Sequence, residues 1–82
     1  MAMRVLKVSY FAAFREAAGV SSERVDSGAA TAAALFDECA GRHPGLHRYT
    51  ASLVAINDEM TAWDAALADG DEVLFFPPVA GG

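Results

Sequence analysis

Cysteine occurs once in this chain, at Cys39, so no disulfide can close within it and nothing in its covalent framework calls for an oxidising compartment. Basic residues are scarce as well. The six of them, Arg4, Lys7, Arg15, Arg24, Arg42 and Arg48, face eleven acidic residues, leave a net charge of −5 and form no stripe that could neutralise phosphates. Nucleic acid is therefore not an expected partner. The two histidines, His43 and His47, are separated by Pro44, which breaks the helix that would align them, and no cysteine or carboxylate completes a ligand set, so no metal is expected. No run approaches the roughly 20 apolar residues that span a bilayer. The start, Met1-Ala2-Met3-Arg4, enters a β-like run without the apolar segment and small-residue cleavage site of a secretory signal. A cytoplasmic location without membrane partners is the expectation. No glycine loop of the Walker type is present, so this chain is not expected to hold ATP itself.

What is present suits a small globular domain. Hydrophobic residues make up 54% and charged residues 21% of 82, and a chain of this length supports one core. Residues 4–11 alternate, with Leu6, Val8 and Tyr10 on one side and Val5, Lys7, Ser9 and Phe11 on the other, which is the period of a strand. An alanine-rich turn of helix over 12–18 stops at Gly19. Ser22 to Asp26 reads as a second strand, with Arg24 and Asp26 on one face and Val25 on the other. Thr31 can cap a helix whose apolar residues Ala32, Leu35, Phe36, Cys39 and Ala40 fall on one stripe and whose end is marked by Gly41 and Pro44. Cys39 belongs to that stripe and reads as core. Leu53 to Ile56 is a short strand, Asn57-Asp58-Glu59 a turn, and Met60 to Trp63 a returning edge strand. Asp69-Gly70-Asp71 is a further turn. Glu72 to Phe76, apolar on both faces, is the pattern of a central strand.

Two strands, one main helix and two or three strands give an α+β fold in the β-grasp arrangement: a mixed sheet of four to five strands, with the helix across one face. Either Val73 and Phe75 or Leu74 and Phe76 then occupy the uncovered face, together with Phe11 or Tyr10. Such a patch marks a protein interface, unless bulky loop residues cover it. The boundary falls at residue 76, dividing a domain over 1–76 from a tail over 77–82. The tail, Pro77-Pro78-Val79-Ala80-Gly81-Gly82, ends in two glycines, which chance supplies in about 0.5% of chains at ordinary glycine usage. Residues without side chains can thread a slot closed to all others, so the terminal carboxylate can be delivered into another protein's active site. Pro77 and Pro78 end the strand and favour an extended backbone, which lowers the ordering cost of such an insertion.

Several segments taken together, Tyr10-Phe11-Ala12 with Arg15-Glu16 and Gly19, Ile56-Asn57-Asp58-Glu59, Asp69-Gly70-Asp71-Glu72-Val73, and Phe75-Phe76-Pro77-Pro78-Val79-Ala80-Gly81-Gly82, resemble the small subunit of molybdopterin synthase, a ubiquitin-like sulfur carrier. The resemblance covers nearly the whole chain, and its last fourteen residues are the most specific part. It implies that an ATP-dependent activating enzyme adenylates Gly82, that a sulfur donor system converts it to a thiocarboxylate, and that Gly81 lets it pass into the large synthase subunit. There the sulfur goes to a cyclic pyranopterin monophosphate. Phe75, Phe76, Pro77, Pro78, Val79 and Ala80 would make the contacts with partners, and the chain would not be catalytic alone. No stably bound cofactor is implied; ATP is consumed by the activating enzyme. Diglycine endings also serve protein modifiers and thiamin-type sulfur carriers, and an incidental ending on a passive interaction module is the remaining alternative. The carboxylates Asp58, Glu59, Asp64, Asp69, Asp71 and Glu72 gather around turns, where local hydrogen bonding ordinarily accounts for them.

Overall fold

Alternation over residues 4–11 becomes β1 (Arg4–Tyr10), which turns Leu6, Val8 and Tyr10 inward and leaves Val5 and Lys7 exposed. A computed structural model describes residues 3–48 and 52–78. After β1 come α1 (Ala13–Ala18), β2 (Ser22–Ser27), α2 (Ala32–Arg42), β3 (Leu53–Ile56), β4 (Glu59–Thr61) and β5 (Glu72–Phe76). The five strands form one sheet in the order β2-β1-β5-β3-β4, with β1 and β5 parallel and the other neighbours antiparallel. The central strand is therefore β5, as its two-sided apolar pattern requires. A mixed sheet with one long helix on one face is the expected α+β, β-grasp arrangement.

Thr31 caps α2 by accepting the Ala34 N–H at 3.2 Å, and Ala32, Leu35, Phe36 and Cys39 form its buried stripe. The β2–α2 junction is fixed by the buried Ser27, whose hydroxyl donates to Glu38 and accepts the Ala29 N–H. Helix α2 runs through Gly41 to Arg42, further than its apolar stripe. The His43 N–H closes the last turn on the Cys39 carbonyl at 2.9 Å, and Pro44 is the stop.

Beneath α2 the core is a stack of rings. Phe36 lies 4.9 Å from Phe75 and 5.4 Å from Phe14, and Trp63 stacks on Phe75 at 5.7 Å. Trp63 is where the strand pattern misleads. Strand β4 covers only Glu59–Thr61, and Trp63 turns inward: its ring NH donates to the Ser52 carbonyl and its own carbonyl accepts the Ala33 N–H. Burying a large ring with its polar tip paired outweighs one more residue of edge pairing. The β3–β4 hairpin turns on Asn57 and Asp58, both at positive φ, the type that suits the twist of the strands.

Two of the turn carboxylates are paired within the fold, and mostly with residues distant in sequence. Asp69 accepts the Val5 N–H at 2.7 Å, while Asp71 accepts the Ala68 N–H and the Asn57 side-chain amide. These carboxylates hold loops in place.

Candidate functional site at the root of the tail

Strand pairing ends at Phe76, and Pro77 and Pro78 continue the chain beside β1 and β3. Val79, Ala80, Gly81 and Gly82, including the expected sulfur-bearing carboxylate, lie outside the described residues. What the structure places is the base from which they leave.

The two phenylalanines before the prolines have opposite fates. Phe75 has no exposed surface; its ring sits among Phe36, Trp63 and Tyr10, and only its backbone serves the sheet, its carbonyl accepting the Phe11 N–H at 3.1 Å. Its side chain is a core member and is not presented to a partner. Phe76, one residue on, turns to the face that α2 leaves uncovered and packs 5.3 Å from Phe11. Leu74 shares that face. The uncovered side of β5 is thus Leu74 and Phe76, joined by Phe11, while Val73, Phe75 and Tyr10 point under the helix.

Around Phe76 lies a groove of about 400 Å³ lined by Phe11, Ala12, Ala13, Leu53, Pro77 and Pro78. Leu53 is half exposed and opposite Phe76 in the β3–β5 register, and Met60 extends the apolar surface at the sheet's edge. Sequence reasoning passed over Leu53, Ala12 and Ala13 as site residues. The apolar run at 53–56 was visible, but its register against β5, which sets Leu53 beside the tail, is a tertiary fact. Ala12 holds φ 50 and ψ −122 at the first central position of a turn closed by the Phe14 N–H on the Phe11 carbonyl. That conformation presents Phe11 to Phe76, and no residue type at 12 announces it.

The other chemically capable side chains lie on the helix side. Burial pushes the Cys39 thiol up, against the lowering effects of Tyr10 and Arg42, so the group is held as a neutral thiol rather than a nucleophile. Burial, then contacts with Cys39 and Glu23, push the Tyr10 phenol above its ordinary range. Its hydroxyl donates to Glu23 at 2.5 Å, and the same carboxylate oxygen takes the His43 ring nitrogen at 2.8 Å. His43 is thereby committed to Glu23. Among the described residues no group of three or more His, Cys, Asp or Glu side chains is arranged to hold a metal. No helix among them is long and apolar enough to cross a membrane.

Comparison with known proteins decides the family: the model of the ThiS family matches residues 8–82. The chain belongs to the ThiS family. The molybdopterin synthase sulfur carrier subunit of Escherichia coli (strain K12) is 36% identical over 84 residues, covering 95% of this chain and all of the relative. Small archaeal modifier protein 1 of Haloferax volcanii is 39% identical over 82 residues, covering 88% of this chain and 94% of the relative. A crystal structure of that modifier superposes with a TM-score of 0.80 over 95% of this chain and 99% of its own, at 36% identity. A complex of BexX with CysO from Amycolatopsis orientalis contains a similar chain, with a TM-score of 0.69 at 28% identity, over 94% of this chain and 99% of that one. This ThiS-family chain therefore shares its ubiquitin-like fold with sulfur carriers and with a protein modifier.

Proposed function

We propose that this ThiS-family protein is the sulfur-carrying small subunit of a molybdopterin synthase, with Gly82 as the atom-bearing residue. What carries the reading is the conjunction of a diglycine ending with an apolar groove at its root, in a chain matched nearly end to end by sulfur carrier subunits. A carboxylate is a poor electrophile until its oxygen becomes a leaving group. Adenylation with ATP by an activating enzyme supplies one, releasing pyrophosphate, and a sulfur nucleophile from the donor system then displaces AMP to leave a thiocarboxylate. That sulfur carries its own charge and needs no base on the carrier. The large subunit orients the tail and stabilises the charge that develops as sulfur passes to the cyclic pyranopterin monophosphate.

Within this cycle Gly81, Ala80 and Val79 are the residues small enough to follow Gly82 into a narrow channel, Pro77 and Pro78 hold the arm extended, and Phe76 with Phe11 and Leu53 seats the domain on its partners. The carrier has no catalytic task of its own, binds no cofactor and works in the cytoplasm. Deletion of Gly82 tests the reading in a reaction reconstituted with the activating enzyme, a sulfur donor and the large subunit. Pterin conversion should disappear; conversion at the unaltered rate would remove the tail from the mechanism. A second reading, protein modification, is favoured by the likeness to the Haloferax volcanii modifier. Branched peptides joining Gly82 to target lysines would be its signature.

A further inference from the structure

The sheet has two edges of unequal reach. Strand β4 is an edge of three residues, Glu59–Thr61, too short to template a neighbour, whereas β2 offers six, Ser22–Ser27, without a proline. The Tyr10 N–H donates to the Ser21 carbonyl at 2.9 Å, and the two-residue alternation of an antiparallel ladder then aims the backbone groups of Glu23, Val25 and Ser27 at β1. Those of Ser22, Arg24 and Asp26 point away from the sheet. Among the described residues no turn or loop bonds to them. On the face that α2 leaves uncovered, the same edge carries two exposed charges of opposite sign, Arg24 and Asp26, two residues apart. Ion pairs among the described residues run to Glu23 and involve neither. Lys7, opposite Arg24 on β1, has Glu72 opposite it on β5; Arg24 has no strand on its other side.

We propose that β2 pairs with β2 of a second copy, antiparallel and about a two-fold axis at Val25, so that two sheets join into one. Backbone parity restricts the register: the hydrogen-bonded pairs must be drawn from Ser22, Arg24 and Asp26, and only axes at Arg24 and at Val25 engage most of the strand. An axis at Arg24 sets that guanidinium against its own copy. An axis at Val25 sets Arg24 opposite Asp26 of the second copy and Asp26 opposite Arg24, two cross-strand pairs of opposite charge made by one symmetry operation. The strand is thus complementary to itself in one register, and the charges that deter a foreign strand select its own. Because the axis stands perpendicular to the sheet, both α2 helices fall on one face and both Phe76 grooves on the other. Strand β1 separates β2 from β5, so the pairing leaves each tail root open. The association is independent of the sulfur-carrier reading.

Sedimentation equilibrium of the full-length protein, over a rising concentration series at low salt, is the test. The average mass should climb toward twice that of the chain, and the association should weaken as salt rises. Arg24→Asp and Asp26→Arg each set like charges in both pairs, and each should weaken self-association by about tenfold or more. Equal amounts of the two single variants should associate with each other, since every opposed pair is then of opposite sign. The exchange Arg24→Asp/Asp26→Arg restores both pairs and should restore the wild-type association. Recovery in the mixture and in the exchange shows that charge, and not folding, was lost in the single variants. A wild-type protein that stays monomeric at every concentration would overturn the proposal and leave the edge to a strand of another protein. Single variants that associate as the wild type does, or a mixture that fails to associate, would overturn the register and the proposal with it. A dimer lost in Phe76→Ala and kept in Arg24→Asp would place the contact at the apolar groove and equally overturn it.

Discussion

Ala12 is the residue whose backbone conflicts most with its side chain. With φ 50 and ψ −122 it occupies a conformation natural to glycine, and strain of this kind is worth about 1–3 kcal/mol. It is held because the turn it makes carries Phe11 from the β1 ladder onto the ring of Phe76. Ala12→Gly should raise stability by about 1 kcal/mol, since relief of the strain exceeds the added freedom of the unfolded chain; thermal unfolding would show a midpoint a few degrees higher. A lower midpoint would mean that the methyl group packs where the structure leaves it exposed. The adjacent phenylalanines supply a second contrast. Phe75→Ala should cost about 3–5 kcal/mol in urea denaturation, the range for a buried ring, while Phe76→Ala should cost much less and register in partner binding. Equal losses of stability would contradict the division between core and surface. That division was illegible in the sequence because residues 73–76 are apolar on both faces, and alternation cannot then say which face the helix covers.

At the scale of elements, the C-terminal end of α2 is tied to the sheet through one carboxylate. Glu23 of β2 receives the Tyr10 hydroxyl and the His43 ring, with Arg42 at 3.7 Å. Partial burial pushes the Glu23 pKa up, but the hydrogen bonds from Tyr10 and His43 and the charges of His43 and Arg42 outweigh it and hold the carboxyl below its ordinary 4.5. A folded-state pKa below the unfolded value stabilises the protein above about pH 4.5, and that contribution is lost as pH falls through the lowered value. Glu23→Gln should therefore flatten the acid limb of a stability–pH profile, and Glu23→Ala should cost about 1–3 kcal/mol at neutral pH by leaving the buried Tyr10 hydroxyl unpaired. An acid limb unchanged by Glu23→Gln would remove this contact from the account. The elements themselves were readable: the stripe from Ala32 to Cys39, the alternation of β1 and the turn at Asp69-Gly70-Asp71 each carry a local physical signal. The tie was not, because Glu23 and His43 are twenty residues apart and neither sits in a motif that demands the other. Trp63 was misplaced for a related reason, its inward turn being decided by Phe75 and Ser52 rather than by its neighbours in sequence.

Taken as a whole, the molecule sets the root of its tail on the central strand of the sheet. Strand β5 occupies the middle of the sheet, its side chains anchored alternately under α2 and against Phe11, and the tail continues from it through two prolines. The apolar groove around Phe76 lies on the sheet face that α2 leaves uncovered, at the point where the chain leaves the sheet. The direct measurement is the intact mass of the protein after incubation with its activating enzyme, ATP and a sulfur donor. The account predicts replacement of one oxygen by one sulfur, localised by fragmentation to Gly82 and dependent on ATP. An unchanged mass in that complete system, or Gly82 recovered only in branched linkage to lysines, would contradict it.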